Sequence, residues 1–145
     1  MKGKFISDRI LESCGKELTI KQNLIDFDDI EHGGSVWDAA IVLAKYFENK
    51  SVFRTNYFAD KKILELGSGN GYIGIVLCLL KVKKITMTEK KNLLPLIEEN
   101  VKINNFENLI GKNIFIKEVD WGKTKIEEKF DIIIASDCIY DKEEM

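Results

Sequence analysis

The stretch Glu65-Leu66-Gly67-Ser68-Gly69-Asn70-Gly71-Tyr72-Ile73-Gly74 constrains this chain more than any other. It closes a short apolar run, Lys62 to Leu66. It opens a segment, Gly71 to Leu80, that is apolar on nearly every face. A strand, a glycine turn and a buried helix in that order form one arm of a βαβ unit. Glycines let such a turn take positive φ and let backbone approach a ligand. The helix start adds free N–H groups and a partial positive charge. The same alternation continues downstream. Lys84 to Thr88 predicts a strand. Leu93 to Asn104 predicts a helix with Pro95 in its first turn, where a missing N–H costs nothing. Asn113 to Val119 and Phe130 to Ala135 predict two more strands. The last is β-branched and apolar on both faces, the kind that parallel sheets bury between helices. The expected fold is α/β, with a doubly wound and mostly parallel sheet.

A chain of 145 residues fits one structural domain. Its 45% apolar and 32% charged content excludes a disordered polymer. A composition break near residue 60 separates an N-terminal extension, 1–60, from a core, 61–145. In the extension, Phe5 to Ser13 carries a short helical spacing, Glu17 to Gln22 alternates as a strand, and residues 26–34 form an acidic loop. Val36 to Phe47 returns to helical spacing, with Ser35 as the expected N-cap. A net charge of −2 excludes the basic whole-protein footprint of a nucleic-acid binder. The longest apolar stretch, Ile73 to Leu80, is far below the roughly 20 residues of a membrane helix, so no membrane partner is expected. The first dozen residues lack a signal-type apolar core. Three cysteines without a C-x-x-C, namely Cys14, Cys78 and Cys138, argue against a disulfide framework or a zinc knuckle. A reducing, cytoplasmic location is the expectation. His32 is the only histidine, so any His-centred metal site or triad would rest on it. A surface-loop histidine is the simpler reading, and no metal is expected.

The glycine turn admits two registers. Gly69-x-Gly71-x-x-Gly74 fits a dinucleotide fingerprint, with Glu89 at the offset of a ribose-binding acid, 20 residues beyond Gly69. Gly67-x-Gly69-x-Gly71, preceded two residues earlier by Glu65, fits the first motif of S-adenosylmethionine (SAM)-dependent methyltransferases. The apolar run ends at Leu66, which makes Gly67 the first glycine of the turn and favours the second register. A buried acid before the turn also suits SAM, whose methionine end carries an ammonium group. Glu89 closes the second core strand and can accept both ribose hydroxyls of either cofactor. A solvated strand-end acid is the plain alternative.

Four further stretches add to the turn: Val36-Trp37-Asp38-Ala39-Ala40, Asn100-Val101-Lys102-Ile103-Asn104, Asp120-Trp121-Gly122, and Ala135-Ser136-Asp137-Cys138-Ile139-Tyr140. Together, over about residues 17–141, they resemble the seven-β-strand protein-lysine methyltransferases of methyltransferase family 16. Within it they are most similar to the branch that methylates the AAA ATPase valosin-containing protein. The resemblance implies a Rossmann-like methyltransferase fold, SAM as cofactor with S-adenosyl-L-homocysteine as product, and a lysine of a protein substrate as acceptor. An AAA ATPase or a chaperone is the implied partner. It also implies roles for single residues. Trp37 covers the cofactor near its methionine end, and the extension caps the site. Gly67, Ser68 and Gly69 lie beneath the cofactor. Glu89, where the family usually has Asp, holds the ribose. Asp120 and Trp121 border the adenine, and Ser136 contributes backbone. Asp137 and Tyr140 face the substrate.

The residue types suit these roles on physical grounds. Trp offers the best aromatic face to a cation, and the sulfonium of SAM is one. Ligands of open α/β sheets bind outside the carboxyl ends of the strands, where Glu65, Glu89, Asp120 and Asp137 stand. Core packing remains the alternative for Trp37 and Trp121, and a solvated strand-end aromatic for Tyr140. Two rival functions also remain. One is SAM-dependent methylation of a small molecule or nucleic acid; the acidic balance and the lack of an Asn-Pro-Pro-Tyr-type motif weigh against nucleic-acid bases. The other is a catalytically silent SAM-binding fragment. The seven-strand resemblance predicts the order 3-2-1-4 for the first four core strands and further strands beyond the fourth. The chain is therefore expected to be truncated after that strand. Phe130 to Ala135 would then be an open apolar edge. A monomer is expected, with a dimer through that edge as the alternative. The 145 residues alone are expected to bind SAM and to methylate protein poorly.

Overall fold

Cys14 and Gly15 both take positive φ, 52° and 71°. That is the geometry of a two-residue turn whose twist matches paired strands. In the computed structural model, which describes residues 5–24 and 32–139, the turn closes a β-hairpin. Strand β1 (Phe5–Ser13) runs antiparallel to β2 (Lys16–Leu24), with Ser13 opposite Lys16. The helix expected over Phe5 to Ser13 is therefore a strand. The reason is local: the tight turn sets a nine-residue ladder, and the short apolar spacing of β1 offers no competing helical core. The acidic loop expected over 26–34 lies outside the described residues except for 32–34, a short 3-10 turn.

Helix α1 (Asp38–Glu48) starts two residues later than a Ser35 cap would place it. The hairpin holds the preceding chain extended. Val36 N–H donates to Gln22 Oε1 at 2.9 Å, and Arg9 donates to the Val36 carbonyl at 2.9 Å. Trp37 takes the N-cap position without a side-chain cap, and Asp38 places its acid in the first turn.

The core elements follow the expected alternation: β3 (Lys62–Leu66), α2 (Tyr72–Leu79), β4 (Lys84–Glu89), α3 (Leu94–Ile103), β5 (Ile114–Glu118) and β6 (Ile132–Ala135). The four core strands are parallel, in the order β5-β4-β3-β6. This is the expected 3-2-1-4 order. Helix α2 is buried from Tyr72 to Cys78, so it is a core helix. Helices α2 and α3 cover the sheet face that carries Glu65 and Met87. One apolar cluster joins Leu18, Ile20, Phe47 and Phe58 to Ile63, Ile75, Ile97 and Ile114, so the core is continuous across residue 60. The expectation that β6 is buried on both faces is corrected. Ile134 is buried but Ile133 is 63% exposed, because among the described residues no helix covers that side of β6. Among the described residues no helix is long and apolar enough to cross a membrane.

Packing of α2 on the sheet depends on Gly74. A Cβ there would stand 2.7 Å from Met87 Cγ and closer still to its Sδ, and Met87 is wholly buried. Gly74→Ala gains about 1 kcal/mol of helix propensity but overpacks the core at about 1–3 kcal/mol. Chemical denaturation should show a net loss of stability of up to about 2 kcal/mol. Adding Met87→Ala should cost less than the sum of the two single changes. Strict additivity would show that the two groups do not meet.

Candidate functional site

The glycine turn sits at the carboxyl end of β3, where open α/β sheets place their ligands. Its first half continues the sheet. Ser68 N–H donates to the Thr88 carbonyl at 2.9 Å, and Thr88 N–H donates to Ser68 Oγ at 3.0 Å. The Thr88 hydroxyl donates to the Glu65 carbonyl at 2.7 Å. Ser68 therefore locks the turn onto β4, and its side chain is buried. The turn then leaves the sheet through Gly67 and Gly69, at φ 62° and 56°. Both need glycine for space as well as φ. A Cβ at Gly67 would lie 2.7 Å from Cys138 Cβ and 3.5 Å from Trp121 Cζ2. A Cβ at Gly69 would lie 2.7 Å from the Gly33 carbonyl oxygen. Three distant segments, around residues 33, 121 and 138, thus converge on one turn.

Glu89, at the end of β4, is held by two backbone donors. Gly69 N–H donates to Oε2 and Lys90 N–H donates to Oε1, each at 2.9 Å. A carboxylate has about four acceptor positions, so each oxygen keeps capacity for one more donor. The carboxylate can thus accept two further donors.

Glu65 lies beneath the turn, on the α2 side of the sheet, 3% exposed. Burial pushes its carboxyl up to about 8. Ser68 hydrogen bonding pulls it down, the Glu89 charge raises it, and the Gly74 amide lowers it. Its Oε2 has no hydrogen-bond partner. Asn70, also buried, leaves its Nδ2 donor unpaired while its Oδ1 accepts from Tyr72 N–H at 3.3 Å. The turn therefore holds one unpaired buried acceptor and one unpaired buried donor.

The other expected residues fall around this centre. Trp121 reaches Gly67, whereas Asp120 turns its carboxylate to Lys123 at 2.7 Å and remains half exposed. Ser136 follows β6, whose Ala135 pairs with Leu66 beside the turn. Asp137 is exposed at φ 53°, a left-handed conformation that Asp tolerates better than most residues. Trp37 is 44% exposed and lies four residues after Gly33, the glycine against Gly69. Tyr140 lies outside the described residues. The sequence assigns no site role to Thr88, Asn70, Gly33, Cys138, Asn100 or Asn104, whose parts depend on contacts across the fold. Among the described residues no cluster of His, Cys, Asp and Glu could hold a metal ion. Cys78, pushed up to about 12 by burial, is part of the core.

A parallel four-stranded sheet with helices packed on it and a glycine turn at its carboxyl edge defines an α/β protein. Residues 13–145 match the family described as lysine methyltransferase, and the chain belongs to that family. It is 31% identical to EEF1A lysine methyltransferase 3 of Xenopus tropicalis over 145 residues, 95% of this chain and 60% of that protein. It is 37% identical to protein N-lysine methyltransferase METTL21A of Mus musculus over 109 residues, 72% of this chain and 47% of that protein. The chain thus spans about half to three fifths of the length of the curated relatives it matches. Its fold is similar to that of a 16S rRNA N2 methyltransferase of T. thermophilus in complex with AdoMet and guanosine. The TM-score is 0.65 at 18% identity, over 92% of this chain and 33% of that one. The fold is that of SAM-dependent methyltransferases.

The buried Glu65 carboxyl generates a pH prediction. In the fold it keeps its proton up to about pH 8, whereas an ordinary glutamate releases it near 4.5. The folded state therefore binds more protons between those values. Stability from this group is fully present below about 4.5, falls as pH rises, and is gone above about 8. The span is worth at most about 5 kcal/mol. Glu65→Gln, neutral and of the same shape, should remove this slope. Denaturation midpoints of the two proteins should agree near pH 5 and diverge towards pH 8.5 in favour of the variant.

Proposed function

We propose that this chain carries the cofactor half of a SAM-dependent methyltransferase whose acceptor is a lysine side chain of a protein. The observation that carries the reading is the Glu89 carboxylate, fixed by two backbone donors beside Gly69 with acceptor capacity left for two hydroxyls. The unpaired pair in the turn supports the same cofactor. Glu65 Oε2 and Asn70 Nδ2 match in sign the ammonium and carboxylate at the methionine end of SAM. Family membership supports lysine as the acceptor.

When bound, the sulfonium cofactor supplies an electrophilic methyl group to an attacking neutral amine. The residues of this chain bind and align. Glu89 holds the ribose, the Gly67–Gly69 turn gives close backbone, and Trp121 walls the adenine side. Trp37 offers an aromatic face to the cation. Asp137 orients the incoming amine by accepting a hydrogen bond. Its charge also attracts an ammonium and so opposes deprotonation, which makes positioning its role rather than base catalysis. A neutral lysine amine at pH 7 costs roughly 4.6 kcal/mol, and a partly desolvated channel lowers that cost. Tyr140 belongs to the same substrate side on the family resemblance alone.

The substrate protein is proposed at the level of class. The relatives' names point to EEF1A in one case, and the sequence resemblance to an AAA ATPase or a chaperone. A cytoplasmic location is proposed on the three unpaired cysteines. Transfer of a labelled methyl group into each of these proteins, followed by acid hydrolysis, tests the acceptor. Label recovered in RNA or in small molecules instead of methyl-lysine would overturn it.

Calorimetry tests the cofactor. The chain should bind S-adenosyl-L-homocysteine and leave NAD unbound; tight NAD binding without a response to the former would sink the reading. Glu89→Ala should weaken S-adenosyl-L-homocysteine at least about tenfold, since each hydrogen bond to a charged group contributes roughly 1.5–3 kcal/mol. Asp137→Ala, on the substrate side, should keep most of the affinity.

A further inference from the structure

Helix α3 ends on two asparagines that meet β2, Asn100 in its last turn and Asn104 one turn on at its C-cap. Four helical residues rise about 6 Å, and two strand residues rise about 6.6 Å. Asparagines at i and i+4 can therefore meet strand residues at j and j+2, and here they do. Asn104 Oδ1 accepts from Thr19 N–H at 3.0 Å, and its Nδ2 donates to the Thr19 carbonyl at 2.8 Å. Asn100 Oδ1 accepts from Lys21 N–H at 2.8 Å, and its Nδ2 donates to the Lys21 carbonyl at 3.0 Å. Each amide exchanges two bonds with one strand residue, as a neighbouring strand would. The helix thus satisfies the open edge of the hairpin.

The two asparagines differ in the second Nδ2 hydrogen. Asn104 turns it onto its own helix, at the Asn100 carbonyl, 2.8 Å away. Asn100 turns it onto the glycine turn, at the Asn70 carbonyl, 2.9 Å away. Asn100 is fully buried, so water cannot replace these bonds. Its Oδ1 and both Nδ2 hydrogens have partners. Asn70 is also the residue whose Oδ1 receives the Tyr72 N–H at the start of α2.

We propose that Asn100 is a positioning residue for the cofactor turn: by holding the Lys21 peptide and the Asn70 carbonyl at once, it couples docking of the N-terminal hairpin to the ligand-ready shape of that turn. The inference rests on the reading of the turn as the SAM site. The hairpin also grips Val36, next to Trp37, through Gln22 and Arg9. One hairpin therefore fixes both the floor of the site and the chain that leads to its aromatic residue. Ligand bound at the turn must in return tighten the hairpin, because coupling between two sites is reciprocal.

The two asparagines supply their own control. Asn100→Ala and Asn104→Ala each remove a contact to β2, but only the first removes a contact to the turn. In amide hydrogen exchange of the free chain, Thr19 or Lys21 should exchange faster in both variants. Gly71, whose N–H donates to the Ser68 carbonyl at 2.8 Å, should exchange faster only in Asn100→Ala. Affinity for S-adenosyl-L-homocysteine should fall about tenfold in Asn100→Ala and stay near wild type in Asn104→Ala, the difference of one net hydrogen bond. Equal exchange at Gly71 in the two variants would overturn the coupling, and so would equal affinity. Should Asn100→Ala fail to fold, the wild-type chain decides. S-adenosyl-L-homocysteine must slow Lys21 exchange, and unchanged exchange with the compound bound overturns the proposal. A wild-type chain that leaves the compound unbound removes the proposed cofactor, and the Gly71 comparison in the free variants then decides the coupling by itself.

Discussion

The structure depends on close backbone approach at three glycines, two in the turn after β3 and one in the helix that it opens. Gly67, Gly69 and Gly74 face Cys138, Gly33 and Met87, and at each of them an added Cβ would fall well inside van der Waals contact. The three partners come from the segment after β6, the segment before α1, and β4. Close approach at this point sets where the first helix sits on the sheet. It also sets where the segments that flank the site can run. Because those contacts are made by backbone and by buried side chains, small volume changes propagate instead of being absorbed.

Polar groups near the turn are arranged with similar economy. Ser68 and Thr88 extend the β3–β4 ladder by side-chain bonds, so the sheet ends in a rigid lip. Asn100 and Asn104 stand in for a strand along the edge of β2, which would otherwise face the body of the protein with unpaired peptide groups. Ser13 and Tyr72, both buried, share a hydrogen bond of 2.9 Å that ties the hairpin to the start of α2. The extension before residue 60 is thus bound to the core by specific polar contacts as well as by apolar burial.

Against that background the unpaired atoms carry meaning. Native structures leave few buried polar atoms without partners, so those that remain point to a proton, a water or a ligand. Here Glu65 Oε2 and Asn70 Nδ2 lie in the turn, within two residues of the glycines that open it. Glu65 keeps its proton easily while the site is free, and a cation brought near would favour its ionised form. Glu89 differs in its contacts: both its oxygens are held by backbone donors, from Gly69 and Lys90.

The alternation of strand and helix after residue 60, the buried nature of α2, the place of Pro95 and the glycine turn were legible in the residues themselves. Each depends on local periodicity or on φ preference, which neighbours in the chain determine. The acids at the strand ends were legible for the same reason, since a strand's end can be located from its apolar run. The first hairpin strand was misread as a helix because its short apolar spacing carried little information, and the turn at Cys14-Gly15 decided the matter through pairing. The start of α1 moved from Ser35 to Trp37 because Gln22 and Arg9, more than a dozen residues earlier, hold Val36 extended. That Gly33, Trp121 and Cys138 meet at the turn, and that Asn100 joins a hairpin to it, only the tertiary structure decided. Those contacts link residues up to 79 positions apart, and no local propensity encodes which distant surface will close on a given backbone atom.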